Sequence, residues 1–442
     1  MEARVREGWG TRAGFILAAV GSAVGLGNMW RFPYVTADRG GAAFVILYIL
    51  LSFLVGVPIM MAEFSVGRRT GLSPIGALER VGGRRLVPLG YLYVATGCLI
   101  LAYYSVIAGW TMRYTLEALL GGFTSSPADL FGESSTGTGA LLYHIVFMAV
   151  TISIVVGGVK GGIERASLVL MPLLFLLIAG LAIWASTLEG AGAGYAFYLR
   201  AHPAEVLSAD TLAAAAGQAF FSLSLGMGAM LTYSSYLSKD ENLPTSAATI
   251  AVADFGVAFL AGLVVFPVIF AFGLSQEISE STVGALFISL PRAFIAMGAV
   301  GKVVSVVFFA ALLVGALTSA ISLLEVVTSS LIDSWSFDRG RAALTAGLAI
   351  MLLGIPSAYS LDVLGLFDKI AGEFFLVLGG FVLALFVGWR MSDPVGELSR
   401  GFPHVALLRG WLWTVRLVAP IILLVVIYYV GRQAVELIVG MF

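Results

Sequence analysis

The apolar residues of this chain come in long runs separated by short polar joints. Runs of about 20 apolar residues, each long enough to cross the hydrocarbon core of a bilayer, recur from end to end. Eleven spans are predicted, at roughly 12–37, 41–67, 87–120, 140–158, 163–186, 211–237, 246–274, 303–332, 341–355, 361–390 and 411–438. The pattern predicts an all-α polytopic membrane protein, with residues 1–442 forming one transmembrane domain. Lys and Arg set the orientation. Arg4, Arg6 and Arg12 precede the first span, and Arg68, Arg69, Arg80, Arg84 and Arg85 lie between the second and third. Lys160, Arg165, Lys239, Arg339, Arg341, Arg400 and Arg409 continue the same side. The N-terminus is expected in the cytoplasm and, after an odd number of spans, the C-terminus outside the cell's inner membrane. The longest outer loop, about 275–302, is rich in small apolar residues and is expected to fold back as a short helical hairpin.

Two spans break the apolar pattern in their middle. The first carries Gly21-Ser22-Ala23-Val24-Gly25-Leu26-Gly27-Asn28, with Arg31 three residues on. The sixth carries Ser222-Leu223-Ser224-Leu225-Gly226-Met227-Gly228. Glycine, serine and asparagine at that density are poor helix formers. In lipid no water rescues a broken main-chain hydrogen bond, so an interruption survives only where the freed groups face protein, a cavity or an ion. Taken alone, Gly21 and Gly25 also fit a GxxxG packing face. The recurrence five spans later, which inverts the second half relative to the first, is the pattern of a secondary transporter with its site at the midplane. The repeats would be about 9–186 and 211–390, with 411–438 as an extra helix.

Composition narrows the function. The chain is 59% hydrophobic and 12% charged, against about 25% charged residues in soluble domains. A net charge of −1 gives nucleic acid nothing to bind. Cys98 is the single cysteine, so neither an intrachain disulfide nor a thiolate metal site is expected. The first apolar segment is too long and too glycine-interrupted for a signal peptide, and no small-residue cleavage site closes it. His144, His202 and His404 fall at span ends or in loops. No nucleophile–base pair and no phosphate loop is visible, so neither an enzyme nor ATP-driven transport is expected, and no organic cofactor.

The candidates for chemistry are oxygens. Sodium, a hard cation, prefers oxygen ligands as calcium and magnesium do. Freed carbonyls, Asn28, Ser222, Asp254, Thr318 and Ser319 could supply them. Buried hydroxyls in membrane helices also commonly bond the preceding turn, which is the alternative for Thr318 and Ser319. Asp254 is harder to place. A carboxylate in mid-bilayer costs on the order of 2.5–3.5 kcal/mol and needs a cation, a proton or a cationic partner. Arg31 and Asp368 form a possible outer ion pair, and Arg6 with Asp333 an inner one. Glu63 reads as structural; Glu325 and Glu373 also lie within spans, with no role evident from the sequence.

The motifs Trp9-Gly10-Thr11-Arg12, Gly21 to Asn28 with Arg31-Phe32-Pro33, Ala62-Glu63-Phe64 with Gly67-Arg68, Tyr103-Tyr104, Gly161-Gly162-Ile163-Glu164-Arg165, Phe220 to Gly228 and Leu317-Thr318-Ser319 occur in order. Together they resemble the neurotransmitter:sodium symporter family in its bacterial amino-acid branch, over nearly the whole chain. The resemblance implies the leucine-transporter-like fold, a 5+5 inverted repeat with broken helices 1 and 6. It also implies two sodium sites. The first would use the Ala23 carbonyl, Asn28, Ser222, Asp254 and the substrate carboxylate. The second would use the carbonyls of Gly21, Val24 and Gly315 with the hydroxyls of Thr318 and Ser319. An amino-acid carboxylate would meet Tyr104 and the amides around Gly25, Leu26 and Gly27, where a half-helix N-terminus suits an anion. Its ammonium would meet the carbonyls of Ala23, Phe221 and Ser224. Ser22, Ile100, Phe221, Met227, Ser319, Ala320 and Leu323 would line the side-chain pocket. Gln218 would join Arg31 and Asp368 in an outer gate, while Trp9, Tyr236, Arg6 and Asp333 would close an inner one.

The chain departs from the family pattern in places. Members often carry Asn at the sodium ligand of the seventh span. Here the register anchored on Ala261-Gly262 and Phe266-Pro267 gives Asp254, and a slip of one residue gives Ala253. A fixed negative charge there would remove a need for chloride. The twelfth span usual in the family is not seen, so a dimer that relies on it is not implied and the oligomeric state stays open. Gly162 and Pro172 in the fifth span resemble a family spacing that lets the helix unwind. The sequence reading is a sodium-coupled symporter of neutral, hydrophobic L-amino acids. The rivals are a proton-coupled transporter of the same fold, with Asp254 titrating, and a non-transporting membrane sensor.

Overall fold

The computed structural model describes residues 7–123, 126–200, 209–274 and 285–440, and every regular element among them is helical. Nine helices among the described residues are long and apolar enough to cross a membrane, and the bent pair Arg12–Ala23 and Gly27–Asp38 makes a tenth. Ala209–Ser222 and Ala229–Ser234, joined across residues 223–228, stand where the sixth span is expected. The third span runs Val87–Leu120, where the apolar run places it. The eighth is longer than expected, Ala299–Trp335, because its polar ends continue the helix.

Some elements were not legible as helices. Pro74–Gly82 lies in the Arg-rich joint between the second and third spans and turns its apolar side inward, burying Ile75, Ala77 and Leu78. Pro127–Ser135 and Ala191–Leu199 are short helices in joints on the opposite side of the bundle. Of the expected outer hairpin, residues 275–284 lie outside the described residues. Helix Ala285–Ala296 follows them and seats Phe287 against Trp110, Tyr114 and Phe309. The fifth span starts with a π-helical turn, Val159–Glu164, and continues as a wound helix through Pro172 to Ala185.

Burial sorts the spans into inner and outer ones. Two thirds of the apolar window is buried in the second and eighth spans, but only a third in the fourth, fifth and eleventh. The lipid-facing residues are large and apolar, among them Leu176, Ile183, Leu352, Ile421 and Tyr428. The eighth span packs along the third, fourth, fifth and ninth and against Arg12–Ala23. The broken first and sixth spans are thus surrounded, and their polar main chain is kept from lipid.

Each break closes its own hydrogen bonds. Helix Arg12–Ala23 ends where Val24 turns extended. The chain rewinds at Gly27, bent by 44°. The Gly25 amide donates to Asn28 Oδ1 at 3.0 Å, and the Leu26 amide to the Tyr104 hydroxyl at 3.1 Å. In the sixth span Ser224 takes a left-handed φ of +53°. Its amide bonds the Phe221 carbonyl and the Leu225 amide bonds the Phe220 carbonyl, which is a Schellman stop. Glu63, fully buried, accepts from the Gly226 and Leu231 amides at 2.8 and 3.2 Å. It therefore caps the restart of the helix at Ala229.

Two substitutions test this closure. Glu63→Ala would orphan two buried amides at about 1–3 kcal/mol each. The purified protein should melt well below the parent in a thermal scan in detergent. Gly226 has φ +74° and sits so close to the Leu376 carbonyl that a Cβ would overlap it. Gly226→Ala should therefore lower the melting temperature too, whereas Gly256→Ala, which meets nothing within 4 Å, should not.

Candidate functional site

The breaks in the first and sixth spans face each other. The Ser224 hydroxyl donates to the Ser22 carbonyl at 2.7 Å and so ties one break to the other. Beside this contact lies a cluster of oxygens. Ser222 Oγ donates to Asp254 Oδ1 at 2.7 Å, and Asn28 Nδ2 donates to the same oxygen at 2.7 Å and to Ser222 Oγ at 3.0 Å. The Tyr48 hydroxyl reaches Asp254 Oδ2 at 2.9 Å. The register that gives Asp254, rather than Ala253, is the one whose side chain enters this cluster. Asp254 is fully buried, and among the described residues no Lys or Arg pairs with it. A buried carboxylate held only by uncharged donors is an electrostatic deficit that a cation or a proton relieves.

A second oxygen cluster lies against the eighth span. Ser319 Oγ stands 3.3 Å from each of the Gly21, Ser22 and Val24 carbonyls. One hydroxyl proton serves one acceptor well, so three carbonyls around one oxygen leave lone pairs unmet. Thr318 Oγ1 lies 3.0 Å from the Gly315 carbonyl and 3.3 Å from that of Val314. Gly25 has no room for a side chain, since a Cβ would overlap Ser319 Oγ and approach the Tyr104 hydroxyl to 2.7 Å. Gly315 in turn backs directly onto Gly25. The glycines of the first span therefore let its main chain come within ligand distance of the eighth.

Between the clusters is a small cavity of about 20 Å³, lined by Ser22, Ala23, Gly25, Gly27, Ile100, Tyr104, Phe221, Ser224, Met227, Ser319 and Leu323. These are eleven of the residues expected around a substrate. Leu26 meets it through its amide on Tyr104. Ser222 stands in the oxygen cluster, and Ala320 is buried beside the cavity-lining Ser319. The lining mixes apolar bodies with hydroxyls, and Ser22 Oγ donates to Ser322 Oγ at 2.7 Å.

Both ends of the cavity are covered. On the side away from the N-terminus the Arg31 guanidinium lies 4.8 Å from the Phe221 ring centre. Its nearest acid is Glu373 at 2.8 Å, while Asp368 is 3.8 Å away and accepts the Tyr103 hydroxyl at 2.7 Å. Gln218 Nε2 donates to the Gly27 carbonyl at 2.7 Å. Toward the N-terminus, Trp9 Nε1 donates to the Tyr233 carbonyl at 2.9 Å and its ring meets Tyr236 edge-on at 6.3 Å. Tyr236 donates to Glu325 at 2.5 Å, and Arg339 grips the same carboxylate with both Nη atoms at 2.9 and 2.7 Å. Glu164 accepts the Gly10 amide at 2.6 Å and the Thr11 hydroxyl at 2.7 Å, pinning the start of the first span. Arg6 lies outside the described residues, and Asp333 accepts the Ser73 amide at 2.7 Å.

Sequence reasoning missed Tyr48, Glu373, Arg339 and the pairing of Glu325. Tyr48 sits in an apolar stretch, with only its hydroxyl to mark it. Glu325 and Glu373 stood out as acids within spans, which was the right signal without the partner. His144 is buried within the fourth span rather than at its edge, between Ser105 Oγ and the Met351 carbonyl, each 2.9 Å away. His202 lies outside the described residues.

A family model described as the sodium:neurotransmitter symporter family matches residues 6–126 and 130–437. The chain is 35% identical over 438 residues to the uncharacterized sodium-dependent transporter YhdH of Bacillus subtilis, covering 95% of this chain and 96% of that one. It is 33% identical to the uncharacterized sodium-dependent transporter MJ1319 of Methanocaldococcus jannaschii, over 96% of this chain and 90% of the relative. The crystal structure of MhsT in complex with L-phenylalanine has a TM-score of 0.88 and 41% identity, covering 96% of this chain and 99% of that one. The broken helices, the facing oxygen clusters and the covered cavity thus have a common explanation: this chain belongs to the sodium:neurotransmitter symporter family, as a sodium-dependent, multi-pass membrane symporter with the leucine-transporter fold.

Proposed function

We propose that this symporter carries neutral, hydrophobic L-amino acids with sodium by alternating access, without a need for chloride. The observation that carries the reading is Asp254, a buried carboxylate with uncharged donors only, beside a small, largely apolar cavity. A sodium ion there would be held by Asp254, Ser222, the Ala23 carbonyl and Asn28, whose amide turns about its last bond to offer oxygen. A second would take Thr318 and Ser319 with the carbonyls of Gly21, Val24 and Gly315. The fixed charge of Asp254 does the work of a bound anion. Each ion would move as cargo with the substrate.

Tyr104 and the amides of Leu26 and Gly27 would bind the substrate carboxylate, which also reaches the first sodium. Sharing that ligand couples the two, and each raises the affinity of the other by the same factor. Ile100, Met227 and Leu323 offer an apolar pocket that adapts to shape through the flexible thioether. No carboxylate lines the cavity, so a neutral side chain suits it better than a cationic one. MhsT, which crystallised with L-phenylalanine, supports that choice. The same reading takes residues 1–442 as one transporter domain of two repeats, about 9–186 and 211–390, with an extra helix at about 411–438. It sets the N-terminus in the cytoplasm and the C-terminus outside.

The test is uptake of a panel of labelled amino acids by purified, reconstituted protein in sodium, in potassium, and in sodium without chloride. Accumulation of L-phenylalanine or L-leucine that needs sodium and ignores chloride is expected. Uptake driven by a pH gradient in potassium would overturn sodium coupling, and a preference for lysine or a monoamine would overturn the substrate class. Asp254→Ala and Thr318→Ala should each flatten the sodium dependence of uptake more than they reduce the amount of protein in the membrane. Tyr104→Phe should weaken L-phenylalanine binding by about 1.5–3 kcal/mol, as for a lost hydrogen bond to a charge. Unaltered affinity in equilibrium binding would remove Tyr104 from the site.

A further inference from the structure

We propose that Glu373, rather than Asp368, is the acid that latches Arg31 when the cavity is closed to the outside. The two carboxylates compete for one guanidinium. Arg31 Nη2 makes its hydrogen bond to Glu373 Oε1 at 2.8 Å, and Asp368 Oδ2 stands off at 3.8 Å. Arg31 Nη1 is buried and makes no hydrogen bond, so the Glu373 contact is not duplicated. Asp368 is committed elsewhere: its Oδ1 accepts the Tyr103 hydroxyl at 2.7 Å. Gly372 keeps that arrangement open, because a side chain there would overlap Asp368 Oδ1 and press on the Tyr103 hydroxyl.

The backbone makes the double approach possible. On an α-helix, residues five apart point about 140° away from one another. Residues Asp368–Phe375 instead form a π-helical stretch, in which positions five apart are hydrogen-bonded and stack near one face. Both acids therefore reach Arg31, and their side chains are alike in exposure, at 25% and 24%. Tyr103 comes from the third span, which carries the cavity-lining Ile100 and Tyr104. Asp368 thus anchors the tenth span to the third, while Glu373 holds the arginine over the ring of Phe221.

The experiment follows opening by thiol labelling. The parent lacks its native thiol (C98A) and carries a reporter at Gly217 (G217C), where an added Cβ meets nothing within 4 Å. Residue 217 lies one turn outward from Phe221 on the same helix face. The rate of modification by a charged methanethiosulfonate reagent is measured on purified protein in sodium buffer. No substrate is present, so the outcome does not depend on which amino acid is carried. Glu373→Gln is expected to raise the rate at least fivefold, Asp368→Asn by less than half as much, and Glu373→Asp, with the charge kept on a shorter arm, to fall between Asp368→Asn and Glu373→Gln. If Glu373→Gln does not purify as a monodisperse species, the comparison of Glu373→Asp with Asp368→Asn decides. An Asp368→Asn rate equal to or above that of the Glu373 variants, or no change in any variant, overturns the proposal.

Discussion

Everything in this molecule follows from a rule of the lipid interior: a main-chain N–H or C=O that leaves its helix must find another partner. The first and sixth spans each give up several such bonds. Their partners come from three other helices. Tyr104 meets the Leu26 amide, Glu63 meets the Gly226 and Leu231 amides, and Ser319 collects the carbonyls of Gly21, Ser22 and Val24. The donors are well served and the carbonyls are not. That imbalance, an excess of oxygen around one hydroxyl, is what favours a small hard cation.

The buried acids show the same division between structure and transport. Glu325 has Arg339 and Tyr236, Glu397 has Arg68, and the partly buried Glu373 has Arg31. Glu63 sits at the start of a helical turn, where free amides and the helix dipole offset its charge. Asp254 has only a hydroxyl pair and an amide. Its neighbours orient it without neutralising it, and it lies beside the cavity rather than at a helix end. In the proposed alternating-access cycle the ion pairs at the two ends of the bundle would be exchanged as the ends open in turn, whereas Asp254 would take a partner that arrives and departs.

Much of this was legible in the sequence, because lipid leaves few choices. Apolar runs marked the spans, and clustered glycine and serine marked both breaks, since neither residue type holds a helix together at that density. Gly25 and Gly226 are glycines for reasons visible only in three dimensions: one faces Ser319 and Tyr104, the other the Leu376 carbonyl. The partners of buried acids were not legible, because Glu325 and Arg339, though 14 residues apart, lie on different helices and meet by packing. Pro74–Gly82 was hidden by Arg80 and the flanking Arg84 and Arg85, which face outward while Ile75 and Leu78 face in. Tyr48 gave no signal, because an aromatic residue in an apolar stretch reads as packing until its hydroxyl is seen against Asp254.

The central claim is that the oxygens laid bare by the two breaks, with Asp254, bind sodium together with the substrate. Equilibrium binding of radioactive sodium to purified protein, with and without saturating L-phenylalanine, tests it most directly. The account predicts saturable sodium binding that potassium does not displace and that tightens when the amino acid is added. Sodium binding that does not saturate, or that is indifferent to the amino acid, would contradict it.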